Sequence, residues 1–316
     1  FFFFKQKTAY EILTCDWSSD VCSSDLGLGP ADGVRIQVDT AGHVEVITGG
    51  ASIGQGFETV MGQVAAECLG TDYRKMRVTH GNTERIEQGI GAHASRATVM
   101  TASATRVAAM MVREKALDMA AELMQAPVSS LDIVNGEVVR TDRKGGPSMT
   151  LGQISAALLP HSKVRGNREP NLSAEGWYYA DHQVYPYGDH LAVVKVDPDT
   201  GGVKVERYVI AYDIGRAINP MLVKGQIAGG FAQGLGGALL EEFTYSENGD
   251  PLAVTFADYL MPTVKETPDV EILLTEDYPS PINPLGIKGA GESGINGVGG
   301  AIACAIDDAI DRKSTV

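Results

Sequence analysis

One carboxylate stands among glycines at Gly289-Ala290-Gly291-Glu292-Ser293-Gly294, with Lys288 beside it. Glycines let bare backbone approach a bulky ligand, and a carboxylate withdrawn from bulk water becomes a usable general base. The residues that follow, Asn296-Gly297-Val298-Gly299, read as a helix start whose free N–H groups favour anionic ligands. The same stretch also fits G-x-G-x-x-G with Asp307 and Asp308 downstream, a dinucleotide-binding pattern. That pattern should follow a buried strand, whereas Pro281-Ile282-Asn283-Pro284-Leu285-Gly286 cannot form a central strand. A solvated surface glutamate is the plain alternative.

Three further stretches offer polar groups beside bare backbone. Gln226 and Gln233 lie seven apart, two turns along one helix face, in a segment holding Gly225, Gly229, Gly230, Gly234, Gly236 and Gly237. Each glycine inside a helix costs roughly 1 kcal/mol relative to Ala. Either close packing on a sheet or close approach of a ligand must offset that cost. Gln55 stands between Gly54 and Gly56 just before a helix, where its amide offers a donor and an acceptor, although an ordinary turn has the same composition. Finally, Ser95, Arg96 and Thr98 precede a long Ala- and Met-rich segment. A hydroxyl there caps the helix, or Arg96 binds phosphate at its start.

The six His are scattered without His-x-x-x-His spacing, and no Cys-x-x-Cys occurs, so no metal held directly by protein side chains is expected. Neither a Gly-x-Ser-x-Gly elbow nor a phosphate-binding P-loop is present. Cys68 and Cys304 sit among small apolar residues and are expected to be buried packing. A formal net charge of -14 opposes binding to a phosphate backbone. No apolar run approaches the roughly 20 residues that cross a bilayer.

Period-2 alternation predicts strands at 34–38 and 43–47 around the turn residues 39–42, and at 131–134 and 137–140 around Asn135-Gly136. The same pattern predicts strands at 76–80, 190–196, 203–210 and 270–275. Helical periodicity marks the segment from Val60 to Leu69, then 99–126, 221–241 and a last helix reaching Ile310. Strand pairs alternating with single helices indicate an α+β fold of two mixed layers. The polar stretch from His161 to Glu175 is the expected linker, giving domains at 27–165 and 176–311. Residues 1–26 lack any period and resemble translated sequencing adapter, as do residues 312–316. Both are expected to be foreign tails, with the natural ends missing.

Taken together these stretches resemble the molybdopterin-binding large subunit of the xanthine dehydrogenase, aldehyde oxidase and carbon monoxide dehydrogenase family. The resemblance covers nearly all of Gly27 to Ile310. It is carried by Tyr212-Asp213-Ile214-Gly215-Arg216-Ala217-Ile218-Asn219-Pro220, Gly225-Gln226-Ile227, Gln233-Gly234, Glu241-Glu242, Asp258-Tyr259-Leu260-Met261-Pro262 and Asn283 through Gly294, in that order. It implies paired molybdenum-cofactor-binding domains and a hydroxylase acting on an aldehyde or N-heterocycle with water as oxygen source. Glu292 would be the base that deprotonates the attacking oxygen. The cofactor, in its cytosine dinucleotide form as in bacterial members, would contact Gly54, Gln55, Gly56, Ser95, Arg96, Thr98, Gln226, Gln233, Lys288, Gly289, Ala290 and Gly291. Electrons would leave through 2Fe-2S clusters and FAD on partner subunits, an iron-sulfur small subunit and an FAD-binding medium subunit, in a dimer of heterotrimers. The resemblance further implies a cytoplasmic or periplasmic complex and a chain inactive by itself. Against it stand a nicotinamide-dependent Rossmann dehydrogenase and a cofactor-free structural subunit.

Overall fold

A computed structural model describes residues 30–143 and 145–310. The stretches 1–26 and 312–316 set aside as foreign lie outside the described residues. Contacts divide the chain into two compact units. One runs to Val184 and takes in Pro279–Gly289; the other comprises Tyr185–Tyr278 and the segment from Ala290 on.

In the first unit β1 (Ala31–Val38) and β2 (Val44–Thr48) form the expected hairpin, with Ile36 opposite Val46. Their inward residues Val34, Ile36, Val44 and Val46 are fully buried, each worth about 1.5–3 kcal/mol of transfer free energy. α1 (Phe57–Leu69) lays Val60, Met61, Val64, Ala65 and Leu69 into the core. The chain then enters β3 (Met76–Thr79), parallel to β2. A π-helical turn, Thr98–Ala102, leads into α2 (Ser103–Leu123). The hairpin β4 (Leu131–Val134) and β5 (Glu137–Arg140) turns through Asn135 and Gly136 at φ 53° and 79°, as a primed turn requires. β6 (Met149–Thr150) extends that small sheet, and Thr150 with Gln153 makes a capping box on α3 (Leu151–Ala157).

The expected linker is partly strand. From Leu172 the chain enters β7 (Leu172–Tyr179), which pairs antiparallel with β1 from Val38↔Leu172 to Ala31↔Tyr179. The larger sheet therefore has the order β3-β2-β1-β7. A buried β1 needs a partner on both edges to satisfy its N–H and C=O groups. Pro160 and Pro170 thus mark an excursion within the first unit, and the division falls after Val184.

In the second unit β8 (Tyr187–Val196), β9 (Val203–Asp213) and β10 (Val270–Thr275) form a mixed sheet of order β10-β9-β8. α4 (Pro220–Leu239) and α5 (Val298–Ala309) complete it, with Tyr208, Ile210, Ile227, Phe231, Leu235 and Ile302 in the core. The Tyr208 and Phe231 rings lie 4.4 Å apart, centroid to centroid. Both units are sheets layered with helices, the α+β arrangement expected. Cys68 is buried as expected, but Cys304 is exposed, because α5 presents Val298 and Ile302 to the core and leaves Cys304 outside. No helix among the described residues is long and apolar enough to cross a membrane.

Candidate active site

Glu292 sits half-buried in successive tight turns: Ser293 N–H donates to the Ala290 carbonyl, Ile295 N–H to Glu292, and Val298 N–H to Ile295, at 3.2–3.3 Å. The turns feed α5. No strand leads into them, since β10 ends at Thr275, so the dinucleotide pattern at Gly289 lacks the strand it requires. On one side the loop meets α4 backbone to backbone, where a Cβ at Gly294 would lie 2.0 Å from the Ile227 carbonyl oxygen.

The other side of the loop is held by His190, a residue for which the sequence suggested no role. Its Nε2 lies 3.2 Å from the Ser293 carbonyl oxygen and its Nδ1 lies 3.0 Å from the Tyr208 hydroxyl. Burial pulls the His190 pKa below its ordinary value and pushes that of Tyr208 well above its own. A neutral imidazole between a phenol and a carbonyl has one assignment: Tyr208 O–H donates to Nδ1, and Nε2–H donates to Ser293. The signal was present in sequence. His190 shares the inward register of β8 with Ala192, Val194 and Val196, where an apolar side chain is the rule.

α4 begins at Asn219, whose Oδ1 accepts from Leu222 N–H at 3.2 Å, with Pro220 in the first turn. Its glycines fall into two sets. A Cβ at Gly230 would stand 3.0 Å from Gly294 Cα, at Gly234 2.7 Å from the Val298 side chain, and at Gly236 2.3 Å from Glu241. Those three serve packing. At Gly225, Gly229 and Gly237 a Cβ would meet nothing within 4 Å. Gln226, half-buried, and Gln233, exposed, share that open side. Packing, one of the two alternatives posed by the sequence, thus accounts for Gly230, Gly234 and Gly236 and not for Gly225, Gly229 and Gly237.

The remaining candidates belong to the first unit. Gln55 is turned back on its own loop: Oε1 accepts from Ile53 N–H at 2.7 Å and Nε2 donates to the Ala51 carbonyl at 2.9 Å. It shapes the loop and leaves Gly54 exposed, while Gly56 at φ 81° caps α1 without a side chain. Ser52 Oγ donates to Glu58 at 2.8 Å, and His80 Nε2 meets the other Glu58 oxygen at 2.8 Å, bracing the same loop. Lys288 is half-buried and Gly289 buried at the end of the Pro-rich segment. Asn283 organises that segment by accepting from Leu285 and Ile287 N–H and donating to the Ile287 carbonyl at 2.7 Å.

Arg96 has a structural partner. Its side chain is 2% exposed, and its guanidinium points at Asp32 (3.4 Å), which also accepts from Thr101 Oγ1 at 2.6 Å. That ion pair does not require a ligand. Nor does a hydroxyl cap the long helix: Ala97 and Ala102 stand at the two N-cap positions. Ser95 adopts a left-handed φ of 51° and, like Thr98, is half-buried. A cleft of about 150 Å³ beside Asp32, Gln88 and Trp177 involves none of the candidate residues. Among the described residues no group of three His, Cys, Asp or Glu is placed to hold a metal ion.

Residues 14–268 match the molybdopterin cofactor-binding domain family, a match that begins inside the stretch expected to be foreign. The 6-hydroxypseudooxynicotine dehydrogenase complex subunit gamma of Paenarthrobacter nicotinovorans is 44% identical over 286 residues, 90% of this chain and 36% of that protein. Reconstituted CO dehydrogenase from Oligotropha carboxidovorans superposes with a TM-score of 0.80 at 33% identity, over 89% of this chain and 34% of that one. Quinoline 2-oxidoreductase from Pseudomonas putida 86 gives a TM-score of 0.79 at 35% identity, over 89% and 36%. The chain spans about a third of the length of the curated relatives it matches.

Proposed function

This chain belongs to the molybdopterin cofactor-binding domain family of xanthine dehydrogenase and carbon monoxide dehydrogenase large chains, and on that premise we propose that it is the cofactor-cradling part of a molybdenum hydroxylase whose base is Glu292. The observation that carries the reading is the Glu292 loop seated on α4, the helix whose Gly225, Gly229 and Gly237 lie open beside Gln226 and Gln233. Exposed glycines in a helix weaken it unless another body needs the space. A flat pterin with a nucleotide tail fits that bare face, with the two amides offering donors and acceptors. The first unit's own candidates are the loop 54–56, Ser95, Arg96, Thr98 and Lys288, which would offer backbone, hydroxyls and charge to a cofactor. The cytosine dinucleotide form is proposed.

When bound, the molybdenum cofactor supplies a two-electron oxidation in which water furnishes the oxygen. In that chemistry the Glu292 carboxylate would act as the general base, accepting a proton as the substrate carbon is hydroxylated. An electron-poor N-heterocycle is the proposed substrate class, in line with two similar proteins, one named for 6-hydroxypseudooxynicotine and one for quinoline. Iron-sulfur and FAD subunits would accept the electrons in a dimer of heterotrimers, and the chain alone would be inactive. The test is the full-length protein purified with its partner subunits under verified cofactor supply. One molybdenum and one cytosine nucleotide per large chain are expected; absence of both sinks the proposal in favour of a cofactor-free subunit.

A further inference from the structure

We infer that His190 is a positioning residue that sets where the Glu292 carboxylate stands, acting through the Ser293 carbonyl; this rests on the reading of Glu292 as base. Three observations converge on it. His190 occupies an inward β8 position, where a polar ring is costly to bury unless both nitrogens find partners, and both do, at 3.0 and 3.2 Å. Its carbonyl partner belongs to the residue next to Glu292, and Ser293 is 2% exposed. The loop also returns to the ring, since a Cβ at Gly297 would lie 2.6 Å from His190 Cγ and Cδ2.

If the loop needed only a packing surface, leucine or phenylalanine at 190 would serve. A hydrogen bond adds direction, fixing the Ser293–Gly294 peptide plane. Gly294 is seated on the Ile227 carbonyl, so the backbone leaving Glu292 is anchored at two successive residues. The Ser293 carbonyl can only accept, so it fixes Nε2 as the nitrogen that carries the hydrogen, while Tyr208, fully buried with its ring 4.4 Å from that of Phe231, donates to Nδ1 and holds the ring. The chain from core to carboxylate is therefore Phe231, Tyr208, His190, Ser293, Glu292. Misplacing a reacting group by about 1 Å can cost roughly 100-fold in rate.

The test uses the full-length, assembled, cofactor-loaded complex. His190→Leu is expected to lower kcat by about 10- to 100-fold, leaving KM and molybdenum content at wild-type levels. Amide exchange across residues 290–299 should accelerate. His190→Gln, which keeps an N–H donor near the Nε2 position, is expected to recover most of both, with Tyr208→Phe intermediate. Unchanged exchange in His190→Leu, molybdenum loss in parallel with kcat, or a Gln variant as impaired as Leu would overturn the inference. Should the Leu variant fail to fold, Gln and Tyr208→Phe decide: wild-type exchange and kcat in Tyr208→Phe count against it. An error in the base assignment shows separately, as activity in Glu292→Gln with the exchange pattern intact.

Discussion

Gly294 and Ile227 meet backbone to backbone: a Cβ at Gly294 would lie 2.0 Å from the Ile227 carbonyl oxygen. Neither side is a flexible side chain that could swing away. Gly294→Ala must therefore push the Glu292 loop off α4, at about 1–3 kcal/mol of overpacking. A fall in Tm together with a loss of kcat is expected by thermal denaturation and steady-state kinetics. A wild-type Tm would show that the loop is not seated as described.

Gly229 and Gly230 are chain neighbours with opposite surroundings, open space for the first and Gly294 Cα at 3.0 Å for the second. Gly229→Ala should leave stability unchanged or raise it by up to about 1 kcal/mol, while lowering molybdenum content of the assembled enzyme. Gly230→Ala should instead destabilise. Full cofactor content in Gly229→Ala would mean that the open face is not where the cofactor approaches.

Much of this was legible in the sequence, and the losses share a cause. The hairpin at Asn135-Gly136 and helix α1 carry their own local signals and were read. β7 escaped because one of its two fully buried positions is Gly176, so the alternation lacks an apolar residue there. The Arg96 pairing was not legible because Asp32 lies far away in sequence, and a lone arginine before a helix reads as an anion site. Gln55 is legible as an amide between glycines, but the bonding of both its polar atoms within its own loop depends on how that loop folds.

Arg96 supplies the third prediction. Burial holds the Asp32 carboxyl above its usual range despite Thr101 and Arg96, so removing the cation strands a buried acid. Arg96→Met should cost about 3–5 kcal/mol in denaturant titrations, with Arg96→Met/Asp32→Asn recovering part. A stable single variant that merely lost cofactor would assign Arg96 to phosphate binding instead.

His190 links stability to pH. Its folded pKa lies below the ordinary 6.5 because burial disfavours the cation. As pH falls past that value the unfolded chain takes up the proton first, so stability rises with pH across this window. The contribution is fully present above the unfolded pKa and is lost as pH falls through the folded one. His190→Gln should flatten the acid limb of the Tm profile below pH 6.5; an unchanged slope would assign that limb to other groups.

The assignment of Glu292 as the base meets its most direct test in Glu292→Gln within the full-length complex, with molybdenum content and kcat measured on the same preparation. The expected result is wild-type molybdenum with kcat reduced by about 10²- to 10⁴-fold, the usual worth of a general base. Near-normal turnover at full molybdenum occupancy would contradict it.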